Sequence, residues 1–312
     1  MEKNTITIGT RGSKLALWQA NWVKSRLETD NPGLLAEIFI IKTKGDKILD
    51  VPLAKVGGKG LFVKEIEEAM LDNRIDCAVH SMKDMPAQLP EGLIIGAVPE
   101  RESVFDVLIS KSGRSFSELP DKAGIGTSSL RRAAQLKHAR RDITILGLRG
   151  NLDTRLKKLE TEDNLDAIVL AAAGVKRLGL EEKITEILKP STMLPAVGQG
   201  ALCIETREND PEIARLIKPL DHRETRITVF GERAFLHRLE GSCQVPVAAL
   251  ASINEESLYI EGLVADPDGT TVIKEEISGP ANASEELGIL LADRLLSMGA
   301  GKILEQLKAN PK

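Results

Sequence analysis

Cys243 has the surroundings that best suit a reactive side chain in this sequence. It lies in Glu240-Gly241-Ser242-Cys243-Gln244-Val245-Pro246, a segment of small and turn-forming residues without an apolar period. Cys77 and Cys203 instead lie in short apolar runs that predict buried strands, where a cysteine behaves as a small hydrophobe. A thiol reacts when it is accessible and its thiolate is stabilised, so Cys243 is the candidate for covalent chemistry. The alternative interpretation is an incidental surface cysteine.

A strongly basic segment covers residues 122–159. It contains ten lysine or arginine residues and two acidic ones, in a chain whose net charge is −4. Arg131 and Arg132 fall at the predicted start of a helix, where a cation opposes the helix dipole, so an anionic ligand is a plausible compensation. Arginine offers forked, permanently charged donors that suit carboxylates and phosphates. For Arg149 and Arg155 a surface ion pair is the competing interpretation.

The segment His80-Ser81-Met82-Lys83-Asp84-Met85-Pro86 follows an apolar strand pattern. It is therefore expected at a strand's carboxyl end, where open α/β sheets bind their ligands. Lys83 could pair with a ligand carboxylate, and Asp84 could manage protons or stabilise a developing cation. The alternative is an ordinary helix start with a Lys–Asp surface pair. His80 is interpreted as a strand residue.

Two segments lead from a strand pattern into a helix pattern with hydroxyl side chains between them. They are residues 8–13, which end at Ser13, and residues 125–129, which end at Ser129. Free backbone N–H groups and the positive end of the dipole make such helix starts suitable for anions. The alternative is that the serines serve only as N-caps. The echo between the segments predicts two similar α/β halves.

Residues 43–60 form a long connection with five glycine or proline residues and four lysines. Loops of this length in compact domains are usually functional lids or disordered segments. The string lacks the Walker pattern and is not a strand-to-helix Gly-x-Gly-x-x-Gly unit, so it is weak evidence for a nucleotide site.

Strand and helix patterns alternate through the first two-thirds of the chain, which favours α/β layers with largely parallel sheets. In the last third, three consecutive strand patterns and a long helical pattern predict a small α+β domain with an antiparallel sheet. Domain boundaries are expected near residues 99–102 and 219–221. The strand patterns are 6–9, 38–42, 76–80, 93–98, 104–110, 123–126, 143–146, 167–170, 245–252, 258–264 and 271–277, and the helical patterns are 15–29, 63–72, 130–140, 152–160 and 284–298.

The composition is that of a soluble globular protein, with 312 residues, 42% hydrophobic and 28% charged. This length predicts two or three domains of roughly 100–150 residues each. The aromatic fraction of 3% and the negative net charge count against nucleic-acid binding and an anionic membrane. We expect no transmembrane helix and no secretory signal. Three widely spaced cysteines suggest neither a disulfide framework nor a zinc site, which favours a reducing, cytoplasmic compartment.

Together these segments resemble the porphobilinogen deaminase family, also called hydroxymethylbilane synthases. The match is close and runs through most of the chain, and long ordered motifs are more specific than any short pattern. The motifs are GTRGSKLA at 9–16, GGKGLF at 57–62, HSMKDMP at 80–86, GTSSLRR at 126–132, LRGNLDTR at 148–155, PAVGQG at 195–200 and GSC at 241–243.

The resemblance implies an α/β fold with two periplasmic-binding-protein-like α/β domains and a small C-terminal α+β domain with an antiparallel sheet. Domain 1 would be discontinuous, with residues 1–99 and 200–219, and would carry the lid loop 43–60. Domain 2 would be residues 100–199 with the basic cleft, and domain 3 residues 220–312 with Cys243. That cysteine would hold a dipyrromethane cofactor through a thioether. The enzyme would join four porphobilinogen units into hydroxymethylbilane and release ammonia at each step, in the biosynthesis of heme and other tetrapyrroles.

The resemblance also implies a role for each matching residue. Asp84 would be catalytic, because it would face pyrrole N–H groups and stabilise a cationic azafulvene formed from the substrate. Phe62 would stack on a pyrrole ring, with a core position as the alternative. The expected cofactor-binding residues are Cys243, Lys83, Asp84, Ser129, Arg131, Arg132 and Arg155, and the expected substrate-binding residues are Arg11, Ser13, Gln19, Lys55, Lys59, Phe62, Arg149, Arg155 and Arg177.

The same resemblance leads us to expect a cytoplasmic monomer that passes its product to downstream tetrapyrrole enzymes. No metal is expected, because the histidines show no ligand spacing. A second interpretation is a non-catalytic anion-binding protein with the same fold. This interpretation gives Cys243 no role. A third, nucleic-acid binding through the arginine-rich segment, predicts a steep salt dependence.

Overall fold

The computed structural model describes residues 4–47, 60–240 and 245–309, and the chain divides into two compact units. Unit 1 comprises Met1–Leu49, Gly58–Glu102 and Ala201–Arg226. Unit 2 comprises Asp50–Gly57, Ser103–Gly200 and Ile227–Lys312. Each unit is therefore assembled from segments that are separate in the sequence.

The strands are numbered in chain order. They are β1 (Thr5–Thr10), β2 (Leu35–Ile40), β3 (Cys77–Ser81), β4 (Leu93–Ala97), β5 (Asp106–Ser110), β6 (Gly124–Gly126), β7 (Thr144–Leu146), β8 (Ala167–Ala171), β9 (Glu186–Leu188), β10 (Leu202–Arg207), β11 (Val247–Asn254), β12 (Ser257–Ala265) and β13 (Val272–Pro280).

The helices are numbered in the same way. They are α1 (Lys14–Asp30), α2 (Lys44–Lys47), α3 (Lys64–Leu71), α4 (Leu130–Ala139), α5 (Leu152–Thr161), α6 (Ala172–Arg177), α7 (Pro211–Ile217), α8 (Arg223–Arg238), α9 (Ser284–Leu295) and α10 (Gly301–Ala309). Single turns of 3₁₀ helix lie at Met82–Asp84, Phe116–Glu118, Glu181–Lys183, Lys218–Leu220 and Ala281–Ala283.

Unit 1 contains a five-stranded sheet in the order β2-β1-β3-β10-β4. Strand β1 pairs in parallel with β2 and β3, whereas β10 runs antiparallel to both of its neighbours. Apolar side chains of β1 and α1 meet on one face of the sheet, because Ala20, Val23 and Leu27 recur at helical spacing and are fully buried. Helix α3 covers the other face with Ile66 and Met70.

Unit 2 repeats this arrangement with the strand order β7-β6-β8-β5-β9. Strand β6 pairs in parallel with β7 and β8, and β5 is antiparallel to β8 and β9. The fourth strand therefore runs against the others in both sheets, and in both it comes from a segment distant from its neighbours in sequence. Crossover helices on both faces bury the sheet, as is usual for α/β layers.

The third sheet, also in unit 2, is the antiparallel meander β11-β12-β13. One of its faces packs on α8 and α9 through Phe235, Ile260 and Leu291. The other face contacts α4, where Ala134 packs with Leu263. The turn after β12 touches the same helix, because a Cβ on Gly269 would lie 2.2 Å from the carbonyl oxygen of Ala134.

The predicted fold class is confirmed: two α/β layers of the same strand order and a small C-terminal antiparallel sheet with helices. Several elements differ from the sequence patterns. Each α/β sheet contains one antiparallel strand, and β2 begins at Leu35 rather than at residue 38. The helices α2, α6, α7, α8 and α10 and the strand β9 were not expected. The pattern at 284–298 is interrupted by π-helical turns at Leu296–Ala300, where Gly299 has a φ of 106°. The three-domain division stays a prediction.

Each helix in residues 4–47, 60–240 and 245–309 is too short or too polar to span a bilayer.

Candidate active site

The turn between β1 and α1 presents the first predicted residues of unit 1. Ser13 caps α1, since its backbone is extended and its Oγ accepts a hydrogen bond from the amide of Ala16 at 3.3 Å. The first turn of α1 contains no acidic side chain, so no carboxylate of that turn offsets the positive end of the dipole. Ser13 therefore acts as an N-cap, and the helix start keeps the polarity that suits an anion.

A small open pocket with a cavity volume of about 60 Å³ lies beside this turn. Its lining comes from the β1–α1 turn, α1, the start of α3, and β3 with the turn that follows it. Five predicted site residues line it together: Arg11, Ser13, Gln19, Phe62 and Asp84. The remaining lining residues are Leu15, Ala16, Val63, Val79, His80 and Ser81.

Arg11 and Phe62 contact each other in this pocket. The Cζ atom of Arg11 lies 4.3 Å from the centroid of the Phe62 ring, which is a cation–π arrangement. The ring also lies against Gly45, where a Cβ would come within 2.3 Å of it. Phe62 is half-buried, so it is not a core phenylalanine, and one of its faces supports a cation.

Gln19 is held by a hydrogen bond across the pocket wall. It is 2% exposed, and its Nε2 donates to Ser81 Oγ at 3.0 Å. Because Ser81 ends β3 and Gln19 lies in α1, this bond joins the helix to the carboxyl end of the strand. Gln19 is therefore fixed in position by the fold.

Lys83 and Asp84 lie in the 3₁₀ turn Met82–Asp84 that directly follows β3. The amide of Met82 donates to the carbonyl of Ala201 at 3.0 Å, so the turn is attached to the chain just before β10. Met82 is buried, whereas Lys83 and Asp84 are half-buried. The strand end thus presents a carboxylate to a pocket that also contains a guanidinium, an amide and an aromatic ring.

The matching turn of unit 2 joins β6 to α4. Ser129 is the N-cap, and its Oγ accepts from the amide of Arg132 at 3.5 Å. Thr127 Oγ1 accepts from the amide of Ser129 at 3.2 Å, and Ser128 Oγ donates to the carbonyl of Leu148 at 2.8 Å. The hydroxyl groups of this turn are therefore used locally, and α4 begins with two arginines.

Arg131 and Arg132 are buried around a single carboxylate, Asp106 of β5. Arg131 donates to its two oxygens at 2.7 and 3.3 Å, and Arg132 Nε donates to Oδ1 at 2.8 Å. The arginines are 5% and 6% exposed, and Asp106 is 0% exposed. Burial lowers the pKa of Arg132, and Asp106 opposes that effect. The sequence predicted that an anionic ligand offsets the charge of the two arginines. Asp106 supplies part of that negative charge, and the cluster keeps one excess positive charge.

The arginine pair also binds backbone carbonyls. Arg131 Nη1 donates to Leu194 O at 2.8 Å, and Arg132 Nη1 donates to Val169 O at 2.9 Å. A guanidinium has five N–H groups, so these contacts use only some of the donors of each arginine. The geometry therefore fixes both side chains without using all of their hydrogen-bonding capacity.

The other predicted arginines of unit 2 are half-buried. Arg155 Nε donates to the carbonyl of Gly150 at 2.9 Å, where Gly150 has a φ of 110° and follows Arg149. Arg177 Nη2 donates to the carbonyl of Gly200 at 2.7 Å. Backbone carbonyls thus orient the side chains of Arg155 and Arg177.

Three predicted residues, Cys243, Lys55 and Lys59, lie outside the described residues, as does most of the predicted lid 43–60. The other two cysteines, Cys77 and Cys203, are fully buried in β3 and β10, which confirms the interpretation of their apolar runs.

Sequence reasoning missed several buried acids. Asp106 and Glu205 are both 0% exposed and lie on the antiparallel strands β5 and β10. Glu232 of α8 is also 0% exposed, and its carboxylate accepts from the amides of Gly198 and Ala251 at 2.7 and 2.9 Å. The sequence did contain a signal for the first two, because each is a lone acid within an apolar strand. An acid in such a position is rarely buried unless it is paired.

Two family models cover most of the chain. The model described as porphobilinogen deaminase, dipyromethane cofactor binding domain, matches residues 6–215, and the model described as porphobilinogen deaminase, C-terminal domain, matches residues 226–297. The porphobilinogen deaminase of Syntrophotalea carbinolica is 56% identical over 311 residues, which cover 100% of this chain and 98% of the relative. That of Geobacter sulfurreducens is 54% identical, over 98% of this chain and 96% of the relative. The chain belongs to the porphobilinogen deaminase family.

Among solved structures, the chain is similar to the substrate-binding domain of a putative molybdenum ABC transporter from Clostridium difficile. The TM-score is 0.43 and the identity 9%, over 73% of this chain and 96% of that one. A YaeC-family lipoprotein from Enterococcus faecalis gives 0.42 and 16%, over 72% and 93%. Likenesses at these scores support no conclusion about this chain.

Family membership confirms three predictions made from the sequence. The chain is a transferase of tetrapyrrole biosynthesis, its substrate is porphobilinogen, and its cofactor is dipyrromethane. The interpretation as a non-catalytic anion-binding protein is not supported, because the relatives are named as enzymes over nearly the whole length of this chain.

Proposed function

We propose that the two units divide the work of this porphobilinogen deaminase. Unit 1 supplies the chemistry through Asp84, and unit 2 supplies the fixed positive charge that holds cofactor carboxylates. The observation that carries this proposal is the unit 1 pocket, which gathers Arg11, Gln19, Phe62 and Asp84 from separate segments. An organic acid with an aromatic ring and a cationic arm suits that set of side chains.

The residues present fit a dipyrromethane group. Each of its pyrrole rings carries an acetate and a propionate, so the group is strongly anionic. Arg131 and Arg132 keep one positive charge beyond Asp106 and retain unused N–H donors. We assign Cys243 as the thioether attachment point, with Lys83, Ser129, Arg131, Arg132 and Arg155 as partners of its carboxylates. When bound, the cofactor supplies the free pyrrole carbon at which the chain grows.

Asp84 is assigned to the substrate's cationic step. Loss of ammonia from porphobilinogen leaves a cationic azafulvene, and a carboxylate fixed beside it stabilises the positive charge. The 3₁₀ turn holds the Asp84 backbone through β3 and the bond to Ala201, so little reorganisation is needed as the charge develops. Arg11, Ser13, Gln19, Phe62, Arg149 and Arg177 are assigned to the carboxylates and rings of the substrate and product chain.

The remaining assignments extend the same proposal. Lys55 and Lys59 contribute from the 43–60 lid, and the chain has three domains with boundaries at 99/100, 199/200 and 219/220. The protein is a cytoplasmic monomer that releases hydroxymethylbilane to the next tetrapyrrole enzyme.

The intact mass of the purified protein tests the attachment. We expect an added mass of two pyrrole units that is absent in Cys243→Ala and present in Cys203→Ala, a matched control at a buried strand cysteine. A wild-type protein that converts porphobilinogen without any added mass would remove the proposal.

A further inference from the structure

Three buried titratable side chains lie together in unit 1, outside the set assigned above. His80 of β3 and Glu205 of β10 form a pair in which Nε2 and Oε2 are 3.1 Å apart, with side chains 3% and 0% exposed. Glu67 of α3 is 6% exposed and lies close enough to both for electrostatic coupling. Each comes from a different element packed in this layer.

Two carboxylate oxygens of this cluster lack a partner. Glu67 Oε1 and Glu205 Oε1 are buried and accept no hydrogen bond from any of the described residues. A buried polar atom left without a partner costs free energy, so these two, in acids close enough to interact electrostatically, need an explanation. A proton bound by one carboxylate and donated to the other would satisfy both oxygens at once.

The electrostatics support that explanation. The pKa of Glu67 is raised to about 7, first by burial and then by the charge of Glu205, while His80 acts in the opposite direction. Glu67 is therefore largely protonated below neutral pH, which is the state that a shared proton requires.

The other charged groups around Glu67 do not offset this. On α3, Glu68 adds negative charge and forms a 3.9 Å pair with Lys64, and Glu65 accepts from the amide of Lys44. On β10, the guanidinium of Arg207 binds two backbone carbonyls and pairs with Asp76 and Asp210. Strand β1, which also packs on α3, has no titratable side chain.

The cluster adjoins the Asp84 pocket. His80 is one of the residues that line it, and so is Val63, which lies one helical turn before Glu67. A change in the charge of Glu67 therefore takes place beside this pocket. On the function proposed above, that is the pocket in which a cation develops.

We propose that Glu67, Glu205 and His80 act as one proton-sharing group that sets the charge of the pocket wall behind Asp84. With the proton in place, the carboxylates are joined and the wall carries no additional negative charge. When the proton leaves to solvent, Glu67 becomes a second buried carboxylate facing one imidazole. The group is a positioning element that sets the charge beside Asp84.

Ionisation of Glu67 should change kcat and KM for different reasons. Ionised Glu67 favours the cationic step and disfavours an anionic substrate, so both constants rise as pH increases through neutrality. A unit charge about 10 Å away in a protein interior changes a rate or affinity by roughly tenfold, which is the upper size we expect. Glu67→Gln mimics the protonated state and removes both rises.

The experiment measures kcat and KM of the holoenzyme between about pH 5.5 and 8.5 for wild type, Glu67→Gln and Glu68→Gln. Glu68 is the control, because it is the next residue on the same helix, its side chain is 55% exposed, and its charge is the smallest of the named causes acting on the Glu67 pKa. We expect wild type and Glu68→Gln to share a step near neutral pH that Glu67→Gln lacks. An identical step in all three proteins overturns the proposal.

A second measurement uses the wild-type protein, so it does not depend on the folding of a variant. Nitrogen NMR of the four histidines, with His80 assigned by His80→Gln, follows the imidazole through the same pH range. Two coupled steps for His80 support proton sharing, and a single independent step contradicts it. This readout needs no turnover, so it still decides the cluster if the proposed catalytic function fails.

Discussion

The two α/β sheets have the same strand order, and each buries a carboxylate on its antiparallel strand. In unit 2 that carboxylate is Asp106, which is neutralised by the permanent charges of Arg131 and Arg132. In unit 1 it is Glu205, which pairs with His80 and lies near Glu67, a carboxyl group whose pKa is raised to about 7 by burial and by the charge of Glu205. One fold therefore supports a fixed charge in one unit and an adjustable charge in the other.

The difference matches what each unit is proposed to do. A cofactor with permanent carboxylates needs cations that stay charged at every physiological pH, and arginine meets that need. A site where a cation forms and disappears benefits from groups that respond to charge, such as histidine and a carboxylate with a raised pKa. Four predictions test this contrast, from the largest expected effect to the smallest.

Asp84→Asn should lower kcat by roughly 100-fold or more, because an amide keeps the shape of the side chain but loses the charge that stabilises the cation. Steady-state assays with porphobilinogen measure this, and circular dichroism checks the fold. Asp72→Asn is the matched control, since Asp72 directly follows α3 as its C-cap and has a side chain that is 67% exposed. Near-normal turnover in Asp84→Asn would refute the assignment of chemistry to unit 1.

Asp106→Asn should destabilise the protein by about 3–5 kcal/mol, because it leaves two buried guanidinium groups without a counterion. Urea denaturation monitored by circular dichroism measures the change. The control is Asp268→Asn, which removes an exposed pair with Lys137 at 3.2 Å and should cost about 0–1 kcal/mol. Equal effects of the two substitutions would mean that the Asp106 cluster contributes no more than a surface pair.

Arg131→Leu and Arg132→Leu should each reduce cofactor content several-fold while costing less stability than Asp106→Asn. Either change leaves Asp106 paired with the other arginine, so the cluster loses its excess positive charge without leaving an unpaired ion. Intact mass spectrometry gives the fraction of protein that carries the cofactor. Lys137→Gln, on the same helix, is the comparison that should retain full occupancy. Full occupancy in both leucine variants would show that this pair does not hold the cofactor.

Glu67 should make stability depend on pH in the acid-to-neutral range. Its pKa in the folded protein is raised to about 7 from a normal value of 4.5, so the folded state binds a proton that the unfolded state releases. The free energy of unfolding contributed by this proton is present below about pH 4.5, falls as pH rises to about 7, and then stays level. Across this window, the urea midpoint of wild type should fall more steeply with increasing pH than that of Glu67→Gln. Parallel pH dependences would mean that Glu67 titrates normally.

The sequence predicted most of the elements that position the site. Short apolar runs located β1, β3, β6 and β8, because strands in α/β layers are covered on both faces, and helical patterns located α1 and α4. Ser13 and Ser129 were recognised as helix starts from their position alone. Helix α8 was missed, since its apolar residues are mixed with charged ones that find buried partners only in the folded chain.

The motifs were also sufficient for the family, which the comparisons confirm, and they contain residues that line the unit 1 pocket. They were not sufficient for the partners of the arginines. Asp106 is 25 residues before Arg131 in the sequence, and no local pattern connects them. Their contact depends on β5 joining the sheet antiparallel to β8, which is a long-range pairing.

The sequence by itself therefore determined which reactive side chains are present and where they lie locally. They are a candidate thiol, an acid at a strand end, and arginines at helix starts. Local propensity and side-chain period set these, because each depends on neighbours within a few residues. What only the tertiary structure decided is which charges neutralise each other. Glu205 meets His80 and Asp106 meets Arg131 and Arg132 because strands distant in sequence become neighbours, and burial in that layer makes each pairing consequential.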